Sequence, residues 1–209
     1  MKANRRGPRF TATVAVGALA LAGTTLAFAG AASAAQAAPA ANQHAYNFVT
    51  LDNASDPTFN QLLGINNNGV IAGYFGSGAQ GHPNKGYLLD PPFGQRNYVN
   101  ENFTGSTQTQ VTAINDKGDT VGFWSSMNNA SMVDDNHGFY KLHGGSFHTA
   151  DFPTATPATP PVDQLLGIND SDLTVGFWTD NASNNHGYEY NIKTGKYGSV
   201  TDRARRRPA

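Results

Sequence analysis

Three segments of this chain are near-copies of one another: LLGINNNGVIAGYF at 62–75, VTAINDKGDTVGFW at 111–124 and LLGINDSDLTVGFW at 165–178. Aligning them puts Ile65, Ile114 and Ile168 in register, at spacings of 49 and 54 residues. A period near this length, holding several short strands, is how the sheets of a propeller-like stack announce themselves. Each unit contains four such runs. The first two flank an Asn/Asp-rich turn and read as a tight hairpin. The third opens at Gly86-Tyr87, Gly138-Phe139 and Gly187-Tyr188, and the fourth is NYVN, SFHTADF or YGSVT. In each second strand, alternation sends Tyr74, Phe123 and Phe177 to one face and Phe75, Trp124 and Trp178 to the other. Both rows suit packing between sheets; sugar stacking by the tryptophans is the alternative.

The expected fold is therefore all-β: a partial β-propeller of about three four-stranded antiparallel blades, over residues 46–202. Its repeats span about 62–101, 111–152 and 165–202. The run YNFVTLD, 46–52, is expected to be a leading strand. No helix competes, because apolar residues never recur at helical spacing and Gly or Pro interrupts most windows of a dozen residues. Only 14% of residues are charged, cysteine is absent and the net charge is -1. That excludes disulfides, thiolate chemistry and a global field for nucleic acid or anionic lipid.

The recurring Ile-Asn-(Asn/Asp)-x-Gly, Val-Gly-(Phe/Tyr)-(Trp/Phe) and His-Gly-(Phe/Tyr) elements resemble the HAF-type extracellular repeats of exported bacterial proteins. The resemblance covers roughly residues 46–202. It implies a propeller-like extracellular β-repeat without a generally assigned activity. The positions that define the repeat are Ile65, Gly73, Ile114, Gly122, Trp124, Ile168, Gly176 and Trp178. The chain departs from the pattern at Lys85, where the other copies have His137 and His186, and at Asp172, where they have a turn glycine.

The first 37 residues read as a secretory signal peptide: Lys2, Arg5, Arg6 and Arg9, then an uncharged Ala/Val/Leu/Gly run, then small residues with cleavage expected after Ala34 or Ala37. Residues 38–45 are a short linker. Secretion to the cell exterior follows, by the general or the twin-arginine route, with no membrane span once the signal is removed. Three blades are fewer than the four or so with which propellers usually close. Two expectations compete: head-to-tail association of chains into a ring, or a chain cut short of a longer parent, which the abrupt RARRRPA ending favours. That tail, 203–209, is expected to be disordered, with a polyanion anchor at Arg203, Arg205, Arg206 and Arg207 as the alternative.

No nucleophile elbow, phosphate loop or zinc helix occurs. Asn169, Asp170 and Asp172 resemble half of a calcium loop, but Asn66, Asn67 and Asn68 hold the same turn without a carboxylate, so turn formation is the better reading. His137 and His186 invite a metal, yet no third nitrogen ligand repeats. No metal or cofactor is expected. The long polar loops join second to third and fourth to next-first strands, and so gather on one rim, where binding surfaces usually lie. The candidate rim residues are His82, Asn84, Asp134, Asp135, Asn136, Asp180 and Asn184. The function expected is an exported, non-catalytic binding or interaction module whose extracellular ligand the sequence does not identify, carbohydrate and protein being two candidates. The alternatives are an extracellular carbohydrate hydrolase or lyase, with Asp134, Asp135 and Asp180 as loop acids, or a non-functional fragment.

Overall fold

The computed structural model describes residues 46–126 and 135–200. The chain divides into two units, 1–47 and 48–209, and all the strands belong to the second. The signal peptide, the linker, the arginine tail and Asp134 lie outside the described residues.

Among the described residues, twelve strands form three four-stranded antiparallel sheets, each a simple meander. The first contains β1 (Asn60–Ile65), β2 (Ile71–Phe75), β3 (Lys85–Leu89) and β4 (Tyr98–Asn100). The second contains β5 (Gln108–Ile114), β6 (Thr120–Ser125), β7 (His137–Lys141) and β8 (Phe147–Thr149). The third contains β9 (Asp163–Ile168), β10 (Leu173–Thr179), β11 (Asn185–Asn191) and β12 (Lys196–Ser199). No α-helix occurs among the described residues, and the stack of sheets does not close. The expected leading strand does not form: residues 46–52 carry no ladder pairing, and Leu51 instead packs on the first sheet beside Tyr87. A strand needs a neighbouring edge, and among the described residues no sheet precedes β1 to provide one.

The repeated glycines have a common cause. Each first hairpin contains a bulge, with Leu63, Thr112 or Leu166 as the extra residue between paired neighbours. The bulge swings the preceding carbonyl toward the second strand. A Cβ on Gly73 would lie 2.1 Å from the Gln61 oxygen, on Gly122 2.0 Å from that of Gln110, and on Gly176 2.1 Å from that of Gln164. Only glycine fits there.

Successive sheets pack through β5 against the first sheet and β9 against the second. Ala72, Val111, Ile114 and Phe139 form one core cluster; Val121, Ala150, Leu165, Tyr188 and Tyr190 form the next. Each cluster joins two sheets, so burial depends on stacking rather than on either sheet alone.

The Asn-rich turns hold the stack at one rim. Asn66, Asn115 and Asn169 each use Oδ1 to accept two backbone N–H groups of their own turn: Asn68 and Val70, Lys117 and Asp119, Ser171 and Leu173. The Nδ2 of the first two reaches the next sheet, that of Asn115 also donating to Asp119 Oδ2 in its own turn at 2.9 Å. Asn66 donates to the Asn115 carbonyl at 3.0 Å, and Asn115 to that of Asn169 at 3.2 Å. Alongside, the Asn67 N–H donates to Asp116 Oδ1 at 2.7 Å and the Asp116 N–H to Asp170 Oδ1 at 2.9 Å. These bonds put the three short first turns on one rim, so the long connections lie on the other.

Candidate functional site

At the long-loop rim, a residue at the start of each third strand stands beside the large aromatic of the second: Lys85 by Phe75, His137 by Trp124, His186 by Trp178. Each tryptophan is enclosed. Phe103, after the first sheet, stacks on Trp124 at 4.3 Å, and the His137 ring lies 4.9 Å from the same indole. Phe152, after the second sheet, stacks on Trp178 at 5.5 Å, with His186 at 4.5 Å. These indoles are inter-sheet clamps, which accounts for their repetition; the packed rings take up much of their surface, and Trp178 still lines a cleft.

The polar groups of the rim are paired just as closely. His137 Nδ1 meets Asp151 Oδ2 at 2.6 Å and its Nε2 lies 3.4 Å from Asp135. The Asp151 hydrogen bond, together with the charges of Asp151 and Asp135, raises the His137 pKa against the opposing effect of burial. Asp151 Oδ1 also accepts the Gly138 N–H at 2.9 Å, as Asn102 accepts that of Gly86 at the same distance in the first sheet. Asp135 accepts from the Ser126 hydroxyl and N–H. Asp180 caps its own loop through the N–H groups of Ala182 and Asn184 and the Asn184 amide, and meets His186 at 2.9 Å. His82 pairs with Asp56 at 2.7 Å.

Asn84 and Asn136 serve the stack. Gln110 Nε2 donates to Asn84 Oδ1 at 2.7 Å, and Gln164 Nε2 to Asn136 Oδ1 at 3.2 Å, so each first strand ties to the preceding sheet. Asn84 is buried. Of the expected rim residues, the structure brings Asp135 to His137, and Asn184 to Asp180; it joins them into no common site, and Asp134 lies outside the described residues.

A cleft of about 310 Å³ opens between the second and third sheets, lined by Asp151, Phe152, Pro157, Val162, Asp163 and Trp178. Asp163 begins β9 and is buried, and burial pushes its pKa to about 7. Its Oδ1 accepts from the Tyr188 hydroxyl at 2.5 Å and its Oδ2 from the Phe152 N–H at 2.7 Å. Burial, with the Asp163 charge second, drives the Tyr188 hydroxyl far above the usual phenol range. A second cleft, about 440 Å³, opens at the opposite rim between the first and second sheets. Its buried acid, Glu101, accepts from Thr120 at 2.9 Å and Lys141 at 2.7 Å. Clefts therefore occur at both rims, not only among the long loops.

The half-calcium-loop reading of the third turn is overturned: Asp172 accepts from Lys117 and lies 3.2 Å from Lys193, while Asp170 receives Asp116. Asp172 takes the left-handed conformation of the turn glycines it replaces, with φ of 62°. Among the described residues no group of three or more His, Asp or Glu is placed to hold a metal ion, and no helix is long and apolar enough to cross a membrane.

Sequence reasoning missed Asp151, Phe152, Phe103 and Asp163. A signal existed for three of them, since Asn102-Phe103 and Asp151-Phe152 follow the fourth strand in corresponding places. Asp163 aligns with Asn60 and Thr109, so nothing repeated marks it. No family model, curated protein or solved structure matches this chain.

Proposed function

We propose that this chain is an exported, non-catalytic β-repeat module, a HAF-type propeller segment, that binds a carbohydrate or protein outside the cell through its long-loop rim. One observation carries the reading: the cleft beside Trp178 has a lining dominated by Phe152, Pro153, Pro157, Pro161 and Val162, fixed on a rigid sheet stack. Apolar walls with a few polar groups are the usual make-up of a ligand site. The acids there are held by backbone N–H groups, a tyrosine and a histidine, which suits shape and orientation rather than turnover. The purified chain on a glycan array, alongside Thr154→Arg at the cleft mouth, tests it. Glycan retention that the substitution abolishes supports the rim. Retention that ignores the substitution contradicts it, and no retention at all removes carbohydrate as the ligand class.

A second reading, a carbohydrate hydrolase, is favoured by one specific feature. Asp151 and Asp163 both line the cleft, and the latter titrates about where a general acid must. These are not the loop acids that the sequence suggests. Release of reducing ends from a glycan, lost in Asp163→Asn, would establish it in place of the binding module.

A further inference from the structure

The faces at the two ends of the stack are copies of faces that pack against each other inside it. On the first strands, Leu62 is 42% exposed, while Val111 and Leu165 at the same repeat position are fully buried against the preceding sheet. Ile65 is 64% exposed and Ile114 is 7%. On the second strands the gradient reverses: Ala72 and Val121 are fully buried against the following sheet, and Val175 is 47% exposed. Inside the chain Ala72 clusters with Val111, and Val121 with Leu165. The next pair in that series is Val175 with Leu62, which one chain cannot make.

The polar bonds at both rims follow the same series. Asn66 and Asn115 donate Nδ2 to the following turn, whereas Asn169 Nδ2 meets no partner among the described residues. Gln110 and Gln164 donate back to Asn84 and Asn136; Gln61, their counterpart, makes no such bond, and its acceptor by position is Asn185. The trailing face thus offers Asn169 Nδ2 and the second lone pair of Asn185 Oδ1, which also accepts from the Thr179 hydroxyl at 2.7 Å. The leading face offers the Asn66 carbonyl and the Gln61 amide.

We propose that two copies of this chain associate head to tail, the third sheet of each seating the first sheet of the other. The contact is heterologous, and it closes because six sheets lie within the range of about four to eight that propeller rings adopt. Val175 meets Leu62, Asn169 donates to Asn66, and Gln61 donates to Asn185, each across both junctions. One local rearrangement accompanies docking. Leu51 packs with Tyr87, and the equivalent tyrosine, Tyr188, packs with Ala150 from the preceding sheet. Val200 is the third-sheet counterpart of Ala150 and is exposed. In the pair it takes the place that Leu51 holds, and the segment around Leu51 moves aside.

Sedimentation of the full chain over a range of concentration reads the association. The expected mass is twice that of one chain. Leu62→Glu with Val175→Glu in one chain, and Leu62→Lys with Val175→Lys in another, each give a monomer whose circular dichroism is unchanged, since both side chains are solvent-facing in the single copy. Mixing the two restores the double mass, because every junction then joins Glu to Lys. Leu51→Ala keeps the dimer or tightens it. A wild-type chain that stays monomeric at tens of micromolar overturns the proposal, as does a dimer indifferent to Val175→Glu, which would be isologous, or growth into open polymers. A monomer that dimerises only after residues 201–209 are removed also overturns it, by showing that the chain's own end covers the face.

Discussion

The Asn115 amide nitrogen donates to the main-chain carbonyl of Asn169, 3.2 Å away in the next sheet, while Asn115 Oδ1 caps its own turn twice. One side chain therefore both shapes a hairpin and joins two hairpins. The same division of labour at Asn66 explains why the repeat keeps asparagine rather than aspartate there: a carboxylate has the acceptor but not the donor.

Asn115→Asp removes the donor to both Asn169 and Asp119, and Asn115→Ala removes the acceptor as well. The alanine variant is expected to lose about 2–4 kcal/mol, since a buried residue gives up several hydrogen bonds together. Asn169→Ala, which loses only the turn contacts, should lose about 1 kcal/mol in the monomeric chain. Urea unfolding of both at low protein concentration measures the difference. Equal losses would contradict the cross-link.

Gly122→Ala is expected to destabilise by about 3 kcal/mol or more, because the new Cβ meets the Gln110 carbonyl and the Phe139 ring, and neither can withdraw without breaking the bulge. Gly187→Ala is the control, its nearest atom being 3.6 Å away. Thermal unfolding should separate them widely.

Phe152→Ala should cost about 2–4 kcal/mol and expose the Trp178 indole, shifting its fluorescence to the red. Phe103→Ala does the same for Trp124. A fluorescence change without loss of stability would mean that the rings cover the indoles without clamping the sheets.

Stability is expected to fall as pH rises from about 4 toward 7. Asp163 has its folded pKa raised to about 7 from 3.8, so the folded state holds a proton that the unfolded chain has released, at about 1.4 kcal/mol per pH unit across that window. His137, also raised, adds to the loss above its ordinary value of 6.5. Asp172 and Asp180 act oppositely: their lowered values give stability that is present above 3.8 and lost as pH falls below it. Asp163→Asn should flatten the limb between pH 4 and 7, as read by denaturant midpoints. A slope that the substitution leaves intact would place the titration elsewhere.

Strand positions were legible because they rest on period-two patterning and turn residues, both local. All four runs of each unit form strands, most within two residues of where the sequence puts them, although the SFHTADF run is a strand only over Phe147–Thr149 and stops three residues short. The Tyr46–Asp52 run has strand-like composition but no neighbouring edge among the described residues, and edges are not written in local sequence. The rim was harder for the same reason. His137 reads as a metal candidate in one dimension, while its partner Asp151 lies 14 residues on and beyond a whole strand. Asp163 acquires its character from burial against Tyr188, a contact between the first and third strands of one sheet that no spacing rule announces.

The account stands on sheets stacked in sequence order, each tryptophan held by the phenylalanine that leaves the sheet before it. With only two tryptophans in the chain, nuclear Overhauser contacts from the two indole rings test this directly. The expected result is a contact from Trp124 to Phe103 and from Trp178 to Phe152. Indoles that contact only side chains of their own sheet would contradict it.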